Sequence, residues 1–101
     1  MPIHFEELWN KCETLQEDAA KHDTTQSIID ELVLKLNLYK AIDSKTEIDS
    51  QEREKVKSRT MGEILLTLTK LSMKDNINVY EALNIAMQYR SIGHYQQKYG
   101  T

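Results

Sequence analysis

Three carboxylates, Asp30, Glu31 and Glu63, lie in the most apolar parts of this 101-residue sequence. If the segments that carry them pack together, their oxygens would converge in an apolar bundle, as in helical sites that hold hard cations such as Mg²⁺. A magnesium ion held there would bind and polarise a polyphosphate. The alternative is structural: Asp30 and Glu31 would favour the positive end of a helix, and Glu31 would pair with Lys35 four residues later.

Other residues with reactive or ligand-binding side chains are better explained by packing. Cys12 could act as a nucleophile with His4 or His22 as its base, but it lies on an apolar stripe, where cysteine behaves as a small hydrophobe. The three histidines lack the spacing of metal ligands and there is no second cysteine, so we expect no zinc site. The tyrosines near the end of the chain could stack on a base together with Arg90 and Lys98, although helix packing explains them better.

Length and composition predict one small helical domain over residues 1–101. Three glycines and one proline do not suit a turn-rich β-sandwich, and a single cysteine excludes an internal disulfide. The net charge of −3 is not typical of a nucleic-acid-binding protein, and no apolar run reaches the ~18 residues of a membrane span. We therefore expect a soluble, cytoplasmic protein with neither a nucleic acid nor a membrane as partner.

Apolar residues that recur at intervals of three and four predict an all-α, four-helix subunit. The predicted helices span about 5–21, 25–42, 51–74 and 79–92. A polar linker, 43–50, follows the second helix, and a polar and aromatic tail, 93–101, begins at Gly93, where the fourth helix is expected to end. Because the connection between the third and fourth helices is short, these two helices should form an antiparallel hairpin.

The predicted second helix is apolar on two sides. At ~100° per residue its main apolar face contains Ile28, Leu32, Leu36 and Tyr39. The residues largely on the opposite side are Leu34, Leu38, Ala41 and Ile42. In a chain of this length, a helix with two apolar sides is expected to lie between its own core and another subunit, so we predict a homodimer that forms mainly through this helix.

The second half of the chain resembles the all-α nucleotide pyrophosphohydrolases of the MazG-like superfamily. The segment 61–83 reads MGEILLTLTKLSMKDNINVYEAL. Its Gly62-Glu63 start matches the family's Gly-Asp-Leu-Leu type segment, and its end matches a Gly-Ile-Asp-x-x-Glu-Ala-Leu type hairpin. The opening FEELWNKCETL looks like the family's first helix, so the resemblance covers about 5–90. It implies a MazG-like bundle that forms a homodimer or a higher homo-oligomer.

The resemblance also implies a reaction, the magnesium-dependent hydrolysis of a nucleoside triphosphate to its monophosphate and pyrophosphate. Family enzymes hold magnesium with a Glu-Glu-x-x-Glu motif on the second helix and a Glu-x-x-Asp motif on the third. Here Glu63 falls at the aspartate position and Thr60 at the preceding acidic position. On the second helix one register matches Asp30 and Glu31 to the glutamate pair. In the other register, the three carboxylate positions are occupied by Val33, Leu34 and Asn37.

Two functions therefore stay open. In the enzyme hypothesis Glu31 and Glu63 are catalytic and bind magnesium together with Asp30. The residues expected to line the nucleotide site are Asn37, Thr60 and Arg90. In the second hypothesis the same fold has lost the chemistry and acts as a non-catalytic helical protein that regulates or inhibits a protein partner. The departures from the acidic motifs favour the second hypothesis, and the resemblance as a whole favours the first.

Overall fold

The computed structural model describes residues 4–99, with side chains for residues 4–91, and this part of the chain folds into four α-helices. The helices are α1 (Phe5–His22), α2 (Thr25–Asp43), α3 (Ser50–Lys74) and α4 (Val79–Tyr99). The all-α class and the number of helices are confirmed, and the described residues contain no strand. The prediction that α4 ends at Gly93 is wrong, because the helix continues to Tyr99. The last residues of the predicted tail, 100–101, lie outside the described range.

Local sequence signals explain most of the helix ends. The Thr24 hydroxyl accepts a hydrogen bond from the backbone N–H of Ser27, and the Ser27 hydroxyl accepts one from Thr24, which together form a capping box at the start of α2. The side chain of Asn78 likewise accepts from the backbone N–H three residues later and begins α4. Asp49 precedes α3 and is followed three residues later by Glu52, a spacing that predicts a capping box. The side chain of Asp49 makes no capping hydrogen bond, so this capping box does not form.

α3 is the central helix, because α1 and α2 both pack along it. α2 runs antiparallel to α3. At one end Thr25 donates a hydrogen bond of 2.9 Å to Asp75, and at the other Asp43 lies 2.8 Å from the ammonium group of Lys57. α1 runs parallel to α3, since its first half lies beside the middle of α3 and its second half beside Met73. Along the chain, α1, α2 and α3 thus run up, down and up, and α3 contacts both of the others.

The buried apolar core is small for the length of the chain. The apolar residues that are buried in the described part are Trp9, Ala20, Ile28, Ile42 and Ile64. The face of α2 that meets α3 differs from the predicted one, since Leu36 is 49% exposed and Ile42 is buried. Helical geometry explains the difference, because Ile42 lies only about 40° around the helix from Ile28, whereas Leu36 lies about 80° away on the other side.

In the part of α4 whose side chains are described, residues 79–91, the helix does not pack along any other helix. Only its first residue, Val79, is half-buried, and residues 80–91 are all exposed. The predicted hairpin of the third and fourth helices is therefore wrong, because a short connection determines where α4 begins but not in which direction it runs. The chain has a radius of gyration of 17.1 Å, against about 13 Å for a compact domain of this length. No helix in the described range is long and apolar enough to cross a membrane.

Candidate functional site

A cluster of charged side chains between α2 and α3 contains two of the three predicted metal ligands. Glu31 on α2 and Glu63 on α3 each lie 3.4 Å from the ammonium nitrogen of Lys35. The same nitrogen donates a hydrogen bond of 2.7 Å to the hydroxyl of Thr67. The pairing of Glu31 with Lys35, one part of the structural alternative to a metal site, is thereby confirmed. The other part is wrong, because α2 begins at Thr25 and its first turn contains no acidic residue, so Asp30 and Glu31 lie too far along the helix to favour its positive end.

A second ammonium group approaches Glu31 from α3. Lys70 is 7% exposed, and its nitrogen lies 2.8 Å from Oε2 of Glu31 and 3.0 Å from Oδ2 of Asp23 in the turn before α2. Lys35 contacts the other oxygen of Glu31, Oε1, so a different lysine neutralises each oxygen of this carboxylate. We refer to these six side chains as the lysine–carboxylate cluster: Asp23, Glu31, Lys35, Glu63, Thr67 and Lys70.

The contacts within this cluster favour the ionised forms of Glu31 and Lys70. The hydrogen bond from Lys70 lowers the pKa of Glu31; burial opposes this effect, and the charges of both lysines reinforce it. Burial of Lys70 disfavours its charged form, but the hydrogen bonds from its ammonium to Glu31 and Asp23 outweigh that effect and raise its pKa. Glu31 and Lys70 therefore form a charged pair at neutral pH.

The third predicted metal ligand, Asp30, does not join this cluster. Its side chain is exposed and accepts a hydrogen bond of 3.2 Å from Gln26, one turn earlier on α2. Within the described range, no three His, Cys, Asp or Glu side chains are grouped so that they could hold a metal ion. The structure thus brings Glu31 and Glu63 together, but around lysine ammonium groups and without a third carboxylate from the predicted set.

The residues predicted to line a nucleotide site are not brought together either. Thr60 lies one turn before Glu63, but it is buried and its hydroxyl donates a hydrogen bond of 2.8 Å to the carbonyl of Val56. Asn37 is exposed on the side of α2 that faces away from α3. Arg90 is exposed on α4, which does not pack against the other helices.

An apolar cleft of about 390 Å³ between α1 and α3 was missed by sequence reasoning. Its walls include Phe5, Leu8, Trp9 and Cys12 from α1, and Gly62, Glu63, Leu65 and Leu66 from α3. The half-buried position of Cys12 on this wall agrees with its predicted role as a small apolar residue. The cleft depends on how α1 crosses α3, and the periodicity of a single helix contains no information about that crossing.

Gly62 is the one feature of the sequence that pointed to this place. A glycine inside a helix costs about 1 kcal/mol relative to alanine, so the sequence predicts a local reason for it. Gly62 lines the cleft, and a Cβ atom added to it would meet no atom of the chain within 4 Å. Packing within the chain therefore does not require a glycine at this position.

Chemically, the site offers carboxylates that are already neutralised, next to an apolar cleft whose wall shares Glu63 with the cluster. Glu63 is the most exposed of the three carboxylates in the lysine–carboxylate cluster, with half of its side chain accessible. Comparison with protein-family models, curated proteins and solved structures finds no match to this chain.

Proposed function

We propose that this chain is a self-associating, non-catalytic helical protein on a MazG-like scaffold, in which lysines replace the magnesium ion. The single observation that carries this proposal is the position of the ammonium groups of Lys35 and Lys70 among the carboxylates of Glu31, Glu63 and Asp23. Under this proposal the chain acts through protein contacts, as a regulator or inhibitor would.

Magnesium would have to compete with these internal cations. Mg²⁺ is usually held by one or two carboxylates together with phosphate and water oxygens. Both oxygens of Glu31 are occupied by ammonium groups, and withdrawal of Glu31 would leave the buried Lys70 with Asp23 as its remaining acidic partner. Loss of a partner from a buried ion pair is strongly destabilising, so the network opposes the uptake of a divalent ion.

The exposed surface of the chain supports self-association. The accessible area is 8173 Å², whereas a compact monomer of 11.8 kDa is expected to expose about 5,900 Å². The excess of about 2,300 Å² is comparable with the share that one subunit buries in a large homodimer interface. Part of it lies on α2, where Val33, Leu34 and Leu38 are 50%, 70% and 53% exposed. These residues support the proposed dimer through α2.

The proposal is tested by ligand titrations of the wild-type chain. At millimolar Mg²⁺ and with a panel of nucleoside triphosphates that includes dUTP, we expect no pyrophosphate release and no rise in Tm. The informative variant is Lys35→Met, which removes the cation shared by Glu31 and Glu63 and should make Tm increase with Mg²⁺. The matched control is Lys40→Met, which removes an exposed lysine from the same helix and should leave the response to Mg²⁺ unchanged.

A second candidate function, the binding or hydrolysis of a nucleoside triphosphate, is supported by the cleft. Its volume falls in the range of about 300–1,000 Å³ that is typical of ligand sites, and the rings of Phe5 and Trp9, with centroids 5.8 Å apart, line it close to Glu63 and Arg59. If the wild type released pyrophosphate and Glu63→Gln abolished that release, the non-catalytic proposal would be wrong and this second function would replace it.

A further inference from the structure

α4 is amphipathic, but its apolar side is uncovered. Its polar side chains recur at intervals of three and four along one strip, formed by Glu81, Asn84, Gln88 and Ser91. Apolar residues occupy most of the remaining circumference, which also carries Arg90. Leu83, Met87 and Tyr89 on this side are 60%, 61% and 74% exposed. A helix of this kind is stable when another surface covers its apolar side, and the described part of its own chain does not provide one.

The turn that precedes α4 sets the direction in which the helix leaves. Asn76 adopts the left-handed conformation, with φ 55°. The backbone N–H of Ile77 donates to the carbonyl of Ser72 at 2.8 Å, and that of Asn76 donates to Met73 at 3.2 Å. Together these bonds form a Schellman motif at the end of α3. These bonds fix the backbone up to Ile77, and the described residues of α4 do not pack along the cleft of their own chain.

We infer that α4 of one chain occupies the α1–α3 cleft of a second copy, so that each bundle is completed by its partner's helix. The inference rests on the proposed self-association and adds a second contact surface to the exposed residues of α2. The cleft presents apolar walls from α1 and α3, which suit an apolar helix face. Exchange of an identical element between two chains is a low-cost route to a dimer.

Small residues on both surfaces allow the close approach that such an exchange needs. Gly62 leaves open space on the α3 wall of the cleft, as no atom of the chain would contact a Cβ there. On α4, Ala82 and Ala86 lie four residues apart and share the apolar side. Helix axes approach to about 8–10 Å when the side chains between them are small. A partner helix at this position would also account for the glycine, which packing within the chain does not require.

The area available is sufficient for this arrangement. A reciprocal exchange buries two copies of α4 and two clefts, and each chain has about 2,300 Å² more exposed surface than a compact monomer of its mass. Obligate homodimers bury about 2,000–5,000 Å² in total. Coverage of α4 and the cleft, together with the exposed residues of α2, therefore fits the size of a stable dimer, and a second copy offers both an apolar helix and an apolar cleft.

Cys12 provides a built-in reporter, because it lines the cleft and is the only cysteine in the chain. The variants Leu83→Cys and Met87→Cys place a second thiol on the apolar side of α4, one turn apart. With a short bifunctional maleimide, we expect at least one of them to form covalent dimers through Cys12. The control Gln88→Cys places the thiol on the polar strip and should react several-fold less, and Cys12→Ala in the Leu83→Cys background should remove the product.

Light scattering on the same variants separates the possible failures. Dimers that give no link to Cys12 would overturn the exchange and leave self-association intact, whereas monomers without a link would contradict both proposals. A link to Cys12 within one chain, seen as a cross-linked monomer, would mean that α4 folds onto its own cleft and would also overturn the exchange.

Complementation gives an independent readout. Leu83→Glu places a carboxylate on the apolar side of α4, and Leu8→Glu places one on the wall of the cleft. Because both residues are exposed within one chain, each variant should keep the helix content of the wild type by circular dichroism. Each alone should weaken the dimer by roughly 100-fold, because an unpaired carboxylate would be buried in the interface. A mixture of the two should recover mixed dimers, since one intact helix can then meet one intact cleft. Failure to recover them would contradict the exchange.

Discussion

Replacement of Lys70 by methionine would show whether the lysine–carboxylate cluster stabilises the fold. The substitution keeps the apolar stem of the side chain and removes the ammonium group, which joins α3 to Glu31 on α2 and to Asp23 in the preceding turn. The two lost hydrogen bonds, of 2.8 and 3.0 Å, involve charged partners, and such bonds contribute about 1.5–3 kcal/mol each.

Two effects reduce this loss. Burial of the ammonium group is itself costly, and methionine removes that cost. The side chains of Glu31 and Asp23 are 36% and 41% exposed, so water can solvate them after the substitution. We therefore expect Lys70→Met to lower the free energy of unfolding by about 1.5–3 kcal/mol, with each kcal/mol lowering Tm by about 4–8 °C in a domain of this size.

Urea unfolding followed by circular dichroism measures this change, at one fixed protein concentration because self-association would make the stability depend on concentration. Lys55→Met removes an exposed lysine from the same helix and serves as the control, with an expected change within about 0.5 kcal/mol. If Lys70→Met were as stable as the wild type or more stable, the free-energy cost of burying the ammonium group would equal or exceed the stabilisation that its two carboxylate partners provide. The stabilising role assigned to the cluster would then be wrong.

Three further predictions concern pH, the core and a helix cap. Because the pKa of Glu31 is lowered in the folded state, its contribution to stability is present above the unfolded pKa of 4.5 and is lost as pH falls through the lower folded pKa. The stability difference between wild type and Glu31→Gln should therefore shrink in acid. The raised pKa of Lys70 acts at the other end of the pH range. Its contribution to stability is present below the unfolded pKa of 10.5 and is lost as pH rises through the higher folded pKa, which unfolding curves in alkali should show. Ile28 is fully buried, so Ile28→Ala should cost about 2–4 kcal/mol in urea unfolding, whereas Ile29→Ala, at a partly exposed position, should cost less than about 1 kcal/mol. Thr24→Ala removes one half of the capping box and should cost about 1 kcal/mol, with a loss of helical signal near the start of α2; no change in either quantity would contradict the capping role.

The parts of the fold that could be predicted depend on neighbouring residues. The second helix was predicted over 25–42 and is observed at Thr25–Asp43, since a capping box and apolar periodicity define it locally. The end of α4 was missed because Gly93 only weakens a helix and does not stop one. The path of α4 was missed as well, because a short connection shows where the next helix begins but does not determine the direction in which it runs.

The candidate site also has one contact that the sequence predicts and others that it does not. The pair of Glu31 and Lys35 lies four residues apart on one helix, so its contact follows from the sequence alone. Lys70 is 47 residues from Asp23 and 39 from Glu31, and the sequence contains no signal that these charges meet. When the contacts of Lys70 are not known, the acidic residues resemble an altered magnesium site.

The sequence by itself therefore determined the helical class, the approximate extent of the helices and the excess of apolar residues over what one small core can hold. Only the tertiary structure decided which charges meet, where the cleft opens and that α4 stands apart from its own chain. The physical reason is that hydrogen bonding within a helix and side-chain periodicity act over three or four residues. The packing of helices and the pairing of buried charges instead depend on contacts between residues far apart in the chain.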